Sequence, residues 1–345
     1  MGSIVICADG TWNRPEEDLA KDHPTNVLKL ARAVKPAATD GPQCVFYDWG
    51  LGSYHSQVVA GATGRGIHKN ILDGYRFIVQ NYAAGDRLYL FGFSRGAYTV
   101  RALCGLINNC GIVKRPDARL IQQAFSLYKS PATRNHPEGE AAVRFRREHA
   151  HRSRSVAFVG VWDTVGALGI PFSLMGLLDS HDEFYDTKLG HNVKIARHAL
   201  AIDEQRQDFE PTVWVPRTGI DMKQVWFAGV HSDIGGSYGP DEDTGAEVSD
   251  TALAWMLDEA ATAGLHVETH IRDRLTDGVL APVHRSRRHV YRRKQPLHRP
   301  LVVPAKPTLI HPSVKRRWEI DAGYRPRRLR DLVEQGGWAS LPVGC

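Results

Sequence analysis

The 345-residue sequence predicts an α/β fold, an open and mostly parallel sheet with helices on both faces. Three observations point there. Apolar runs of strand length alternate with stretches of helical spacing along most of the chain. Several of those runs are apolar on both alternating faces, as a strand enclosed between two helical layers must be. Polar or glycine-rich turns follow the runs, where an open parallel sheet places its ligand-binding loops.

The elements follow in order. SIVICADG (residues 3–10) reads as a first strand ending in a turn. TNVLKLARAV has helical spacing with Thr25 as a candidate cap. CVFYDWG is a second strand. GIHKNILDGYRFIVQNY is a helix with Ile71, Tyr75 and Ile78 on one face. RLYLFGF is a third strand and RGAYTVRALCGLINNCG the helix after it. SVAFVGVWD is a fourth strand, whereas KIARHALAI fits a helix. QVWFAGVHSD is a further strand. SDTALAWMLDEAATAG is an amphipathic helix, with Ser249 or Asp250 to start it and Gly264 to end it. No internal repeats occur. The whole of residues 1–345 reads as one domain, with a Pro-, Arg- and His-rich insertion at about 267–307.

Composition is that of a globular chain, 42% hydrophobic and 24% charged. No apolar run reaches the roughly eighteen residues a membrane-spanning helix needs. No secretory signal is expected, so the chain reads as cytoplasmic when synthesised. Cys7, Cys44, Cys104, Cys110 and Cys345 are odd in number and fit no metal motif. Cys7 and Cys44 lie in apolar runs and read as small core hydrophobes. The net charge is +6, and residues 284–299, HRSRRHVYRRKQPLHR, hold seven Lys/Arg and no acid. That run is either a solvated loop or a peripheral contact with an anionic membrane. No nucleic-acid module is recognisable, and no nucleic acid is expected as partner.

Chemistry-bearing residues collect at the strand ends: Asp9, Asp48, Ser94, Asp163 and His231. Ser94 lies in Gly92-Phe93-Ser94-Arg95-Gly96, between a strand and a helix. The G-x-S-x-G pattern there is that of a nucleophile elbow, which needs small neighbours because strand and helix pass close by. The Arg95 N–H opens the helix, where it can face a developing oxyanion; Gly10 or Thr11 could supply a second donor. A serine hydroxyl needs a base. His231 is the first candidate and His311 the rival. Asp163 fits the chain order serine, acid, histidine, as does Asp203, while Asp233 would need a different geometry. Asp9, Asp48, Asp163 and Asp233 together leave open a divalent-metal site with oxygen ligands, although no dense ligand motif occurs.

The blocks DGTWN, YDWGLGS, GFSRGAYTVRAL, FVGVWDTVGALG, HALAIDEQRQDF, QVWFAGVHSDIGGSY and IHPSV resemble, in order, an α/β-hydrolase family that includes the type VI secretion phospholipase effectors. The resemblance runs from residue 3 to about residue 330. It implies an α/β-hydrolase core, Ser94 as nucleophile and Ser–Asp–His chemistry on an ester. Asp163 and His231 rest on the strand-end argument. The expectation is a serine esterase or lipase, with a phospholipase within that class, acting on an ester or lipid substrate without cofactor or metal. A signal-peptide-independent secretion route is compatible with it. GALGIPFSLMGLL (residues 166–178) is either core or an acyl-chain wall. A non-catalytic binding module and a metal-dependent phosphoester hydrolase are the alternatives.

Overall fold

The structure is a computed structural model and describes residues 1–10, 13–49, 64–165, 188–302 and 305–345. Among the described residues, eight strands form one sheet: β1 (Ser3–Ala8), β2 (Ala37–Ala38), β3 (Gly41–Asp48), β4 (Arg87–Phe93), β5 (Val156–Trp162), β6 (Val193–Ala201), β7 (Asp221–Phe227) and β8 (Leu309–Ile310). Their order is β2-β3-β1-β4-β5-β6-β7-β8. Every pairing is parallel except that of the short edge strand β2 with β3.

The strand pleat sorts side chains into two layers. From β1, Ile4 and Ile6 pack with Leu88 and Leu90 of β4 against α2 (Gly64–Asn81), α3 (Arg95–Cys110), α4 (Ala118–Lys129) and α5 (Glu140–His149). Val5 and Cys7, with Tyr89 and Phe91, face the opposite layer of α1 (Asn26–Ala33) and α7 (Ser249–Thr262). Beyond β7, a smaller cluster joins Trp226 and Ile310 to Val314 of α9 (Pro312–Ile320) and Leu329 of α10 (Arg327–Gly336). The expected α/β architecture with helices on both faces is therefore present.

Three local expectations are corrected. KIARHALAI lies in strand β6, not a helix, because it pairs on both sides with β5 and β7; a strand enclosed this way carries no alternation to separate it from a buried helix. Cys44 is exposed on β3, so it is not a core thiol. α7 begins at Ser249, but neither Ser249 nor Asp250 caps it: Val248 holds that position without a side-chain bond. Thr25 does cap α1, accepting from Leu28 N at 3.1 Å. Gly264 follows α7 at φ +90°, the left-handed conformation that ends a helix. In the 267–307 stretch, the described residues hold the short helix α8 (Thr269–Arg272) and a 3-10 turn at His289–Arg293.

Candidate active site

Because β1, β4, β5 and β7 run parallel, their carboxyl ends share one edge of the sheet. Gly10, Ser94, Asp163 and His231 all follow those ends. The ends are tied across neighbours: Ser94 N donates to Trp162 O at 3.2 Å, and Asp163 N donates to Ala199 O at 2.8 Å.

Ser94 stands between β4 and α3 at φ 57°, ψ −122°. This is a conformation that costs an L-residue energy and clusters at functional sites. The flanking glycines are obligatory. A Cβ on Gly92 would meet Gly96 O at 2.5 Å, and one on Gly96 would meet Ala8 O at 2.1 Å. The tight crossing of β4, α3 and β1 leaves no room for a side chain at Gly92 or Gly96. Arg95 occupies the first position of α3, and burial lowers its guanidinium to about 10.

Asp163 is fully buried and also has a positive φ, 40°. Its Oδ2 lies 2.7 Å from His231 Nδ1. Its Oδ1 accepts from Ala201 N at 3.0 Å and Arg299 Nη1 at 2.7 Å, while Arg299 Nη2 reaches Oδ2 at 3.1 Å. Burial alone would raise this carboxyl's pKa, but the Arg299 charge and His231 outweigh it and hold the group well below the ordinary carboxylate range. His231 opens the short helix α6 (His231–Gly235) and is 5% exposed. Its ring lies between Phe93, with centroids 4.6 Å apart, and Phe209, at 4.9 Å. Among the described residues no hydrogen bond joins Ser94 Oγ to His231; such contacts often tighten only with substrate present.

The remaining candidates have other partners. His311 caps α9, its Nδ1 accepting from Ser313 N at 3.2 Å and lying 2.8 Å from Ser313 Oγ, and its ring stacks on Phe227. Burial lowers its pKa to about 4. Asp203 accepts from Gly229 N at 2.7 Å and Tyr324 Oη at 3.0 Å; burial raises it to about 7. Asp233 accepts from Val230 N at 2.9 Å and lies 2.6 Å from His284 Nδ1. Each of the three is engaged away from the His231 imidazole.

The first loop departs from expectation. The Gly10 N–H donates to Asp9 Oδ1 at 2.7 Å, so it is committed and not turned toward an oxyanion. Asp9 also accepts from Asn13 Nδ2 at 3.2 Å, Thr25 Oγ1 at 2.5 Å and Tyr47 Oη at 2.7 Å. Burial raises its pKa against these bonds. Its carboxyl thus fastens the loop to α1 and β3. Thr11 lies outside the described residues, as does the apolar 166–178 segment. The four aspartates considered for a metal do not assemble. Among the described residues no three His, Cys, Asp or Glu side chains come together as a metal would need.

Several residues bearing on this site were not marked by the sequence reading. Arg299 is buried against Asp163 although it ends a basic run. Glu204 Oε2 accepts the His231 N–H at 3.2 Å, and Glu204 Oε1 accepts from Ser286 Oγ at 2.8 Å. His198 of β6 accepts the Thr164 N–H on Nε2 at 3.1 Å, supporting the residue after Asp163. Nothing in the sequence separates Arg299 from its neighbouring arginines. The adjacency of Glu204 to the candidate Asp203 is the one available signal.

Known proteins resemble the chain as follows. A family model for the type VI secretion system phospholipase effector Tle1-like catalytic domain matches residues 3–259. An uncharacterised protein of Saccharomyces cerevisiae is 25% identical over 236 residues, covering 62% of this chain and 33% of that protein. The chain thus spans about a third of the length of that curated relative. A crystal structure of an uncharacterised protein from Pseudomonas aeruginosa is similar at 18% identity and TM-score 0.47, over 79% of this chain and 47% of that one. The structure of the Tle1 effector bound to the VgrG spike of the type 6 secretion system is similar at 18% identity and TM-score 0.38, over 69% and 51%.

Proposed function

The chain belongs to the family of type VI secretion phospholipase effectors with a Tle1-like catalytic domain, and from that premise we propose that it is a serine hydrolase of lipid esters with an α/β-hydrolase-like core. The observation that carries the reading is the buried His231–Asp163 pair, 2.7 Å apart, on the same sheet edge as the Ser94 turn.

In this reading Ser94 Oγ attacks the ester carbonyl while His231 Nε2 takes its proton. Asp163 holds Nδ1–H and stabilises the imidazolium. The tetrahedral oxyanion is met by the Arg95 N–H at the start of α3, with Thr11 as the second candidate donor. Collapse expels the alcohol, which takes the proton back from His231, and leaves an acyl-enzyme. Water then attacks the acyl carbon, giving its proton to His231, and Ser94 leaves with that proton. No cofactor or metal enters these steps. Exposed arginines of the 284–299 run would contact an anionic lipid surface, and family membership favours export by a type VI route.

The test is hydrolysis of p-nitrophenyl esters and phospholipid vesicles, with fluorophosphonate labelling. Ser94→Ala and His231→Ala should each lose several orders of magnitude in kcat, and the double variant should be no worse than either. His311→Ala should be milder. More than about a tenth of wild-type activity in Ser94→Ala would sink the assignment.

A further inference from the structure

We propose that Arg299 is a positioning residue for this hydrolysis, its guanidinium fixing both oxygens of Asp163 so that Oδ2 stays aimed at His231. The proposal rests on the reading of Ser94, His231 and Asp163 above.

Arg299 is 1% exposed, and its side chain and that of Asp163 have no solvent contact. The contact is a fork: Nη1 to Oδ1 at 2.7 Å and Nη2 to Oδ2 at 3.1 Å. Two carbonyls hold the fork in place, Ala201 O at 2.8 Å from Nη1 and Phe209 O against Nη2. Phe209 is the same residue whose ring packs on His231. The carboxylate oxygen that faces the imidazole is therefore also gripped by the guanidinium. A buried carboxylate without a partner would take up a proton, and a neutral acid could no longer stabilise the imidazolium.

The chain around Arg299 supports the same loop. His284 pairs with Asp233, which accepts the Val230 N–H just before His231. Ser286 bonds Glu204, which accepts the His231 N–H. The 284–299 run thus touches acidic residues on both sides of the base, besides presenting arginines to solvent. Among the described residues, the other titratable groups that Asp163 or Arg299 acts on are His198 of β6, which Arg101 of α3 also acts on, and Glu204, which pairs with Arg206.

The experiment compares Arg299→Gln, Arg299→Lys and Ser94→Ala in the full chain. Readouts are circular dichroism, kcat and KM on a p-nitrophenyl ester, and the pH profile of kcat/KM. Removing the cation lets the coupled Asp163–His231 unit bind its proton more readily. In Arg299→Gln the acid limb should therefore move up by about one pH unit, the size expected for a charge at this range. Its kcat should fall roughly tenfold to a hundredfold with KM little changed, less than the ~10⁴ of losing the aspartate's role outright. Arg299→Lys keeps the charge and loses the fork, so the limb should stay while kcat falls. A folded Arg299→Gln with wild-type kcat and an unmoved limb overturns the proposal. If Arg299→Gln does not fold, Arg299→Lys decides: a reduced kcat at unchanged KM supports the role, and a wild-type kcat overturns it. Residual hydrolysis by Ser94→Ala would instead remove the nucleophile reading itself. An inactive Ser94→Ala beside an unaffected Arg299→Gln removes only the role of Arg299.

Discussion

At the scale of single residues, environment separates carboxyls that composition cannot. Asp163 and Asp203 both follow buried strands, yet they are shifted in opposite directions. Asp163 gains a guanidinium that outweighs its burial, whereas Asp203 accepts hydrogen bonds from neutral donors, and burial outweighs these and the Arg317 charge to raise it to about 7 from an ordinary 3.8. Between those two values the folded chain holds a proton on Asp203 that the unfolded chain has released. Its contribution to stability therefore falls as pH rises across that window and is unfavourable above it. Asp203→Asn keeps an acceptor for Gly229 N–H and Tyr324 O–H and cannot ionise. The variant should match wild type near pH 4 and gain on it toward pH 8, by up to about 4 kcal/mol. Melting temperatures measured across pH 4–8 check this; parallel curves for the two proteins would contradict it.

At the scale of elements, the decisive feature is how closely α3 crosses β1. The Gly96 Cα faces Ala8 O with no space for a methyl group, and the obstructing atoms belong to a central strand that pairs on both sides. Gly96→Ala should therefore cost about 1–3 kcal/mol or more through overpacking and should misplace Ser94. Gly74, inside α2, is the contrast: an added Cβ would meet a side-chain end, Leu103 Cδ2 at 3.3 Å, rather than backbone. Gly74→Ala should be neutral or stabilising, because alanine gains up to ~1 kcal/mol in helix propensity. Thermal melts with fluorophosphonate labelling compare the two. Equal behaviour would mean that the turn has slack the geometry does not show.

At the scale of the whole molecule, charge divides between interior and surface. Of the basic run, Arg299 is buried, Arg287 donates to Arg292 O and Lys294 O, and Lys294 pairs with Asp208. Arg285, Arg288, Arg292 and Arg293 are exposed. If these four meet an anionic bilayer, replacing them with Gln should weaken vesicle binding by up to roughly a thousandfold, at about 1 kcal/mol per charge. Turnover of a soluble ester should not change. Binding should also weaken in 0.5 M salt, since exposed charges are screened over a few ångströms there. Cosedimentation with anionic vesicles reads the effect, and equal binding by the variant would place the membrane contact elsewhere.

Apolar runs and their spacing by themselves determined the layered α/β sheet, the Thr25 cap and the serine turn between β4 and α3, because these depend on contacts close in sequence or on a repeating pattern. The turn-forming glycines were legible for the same reason: the steric demand lies within a few residues. Strand β6 was not legible, since a fully enclosed run carries no period of its own and takes its form from its neighbours. Their places at strand ends put Asp163 and His231 first among the candidates, but their contact is a property of the tertiary structure. Asp163 and His231 are 68 residues apart and meet at 2.7 Å only because β5 and β7 flank β6 in one sheet. The Arg299–Asp163 fork spans 136 residues. In sequence Arg299 is one arginine among several, and burial against a single carboxylate, a property of the folded chain alone, sets it apart.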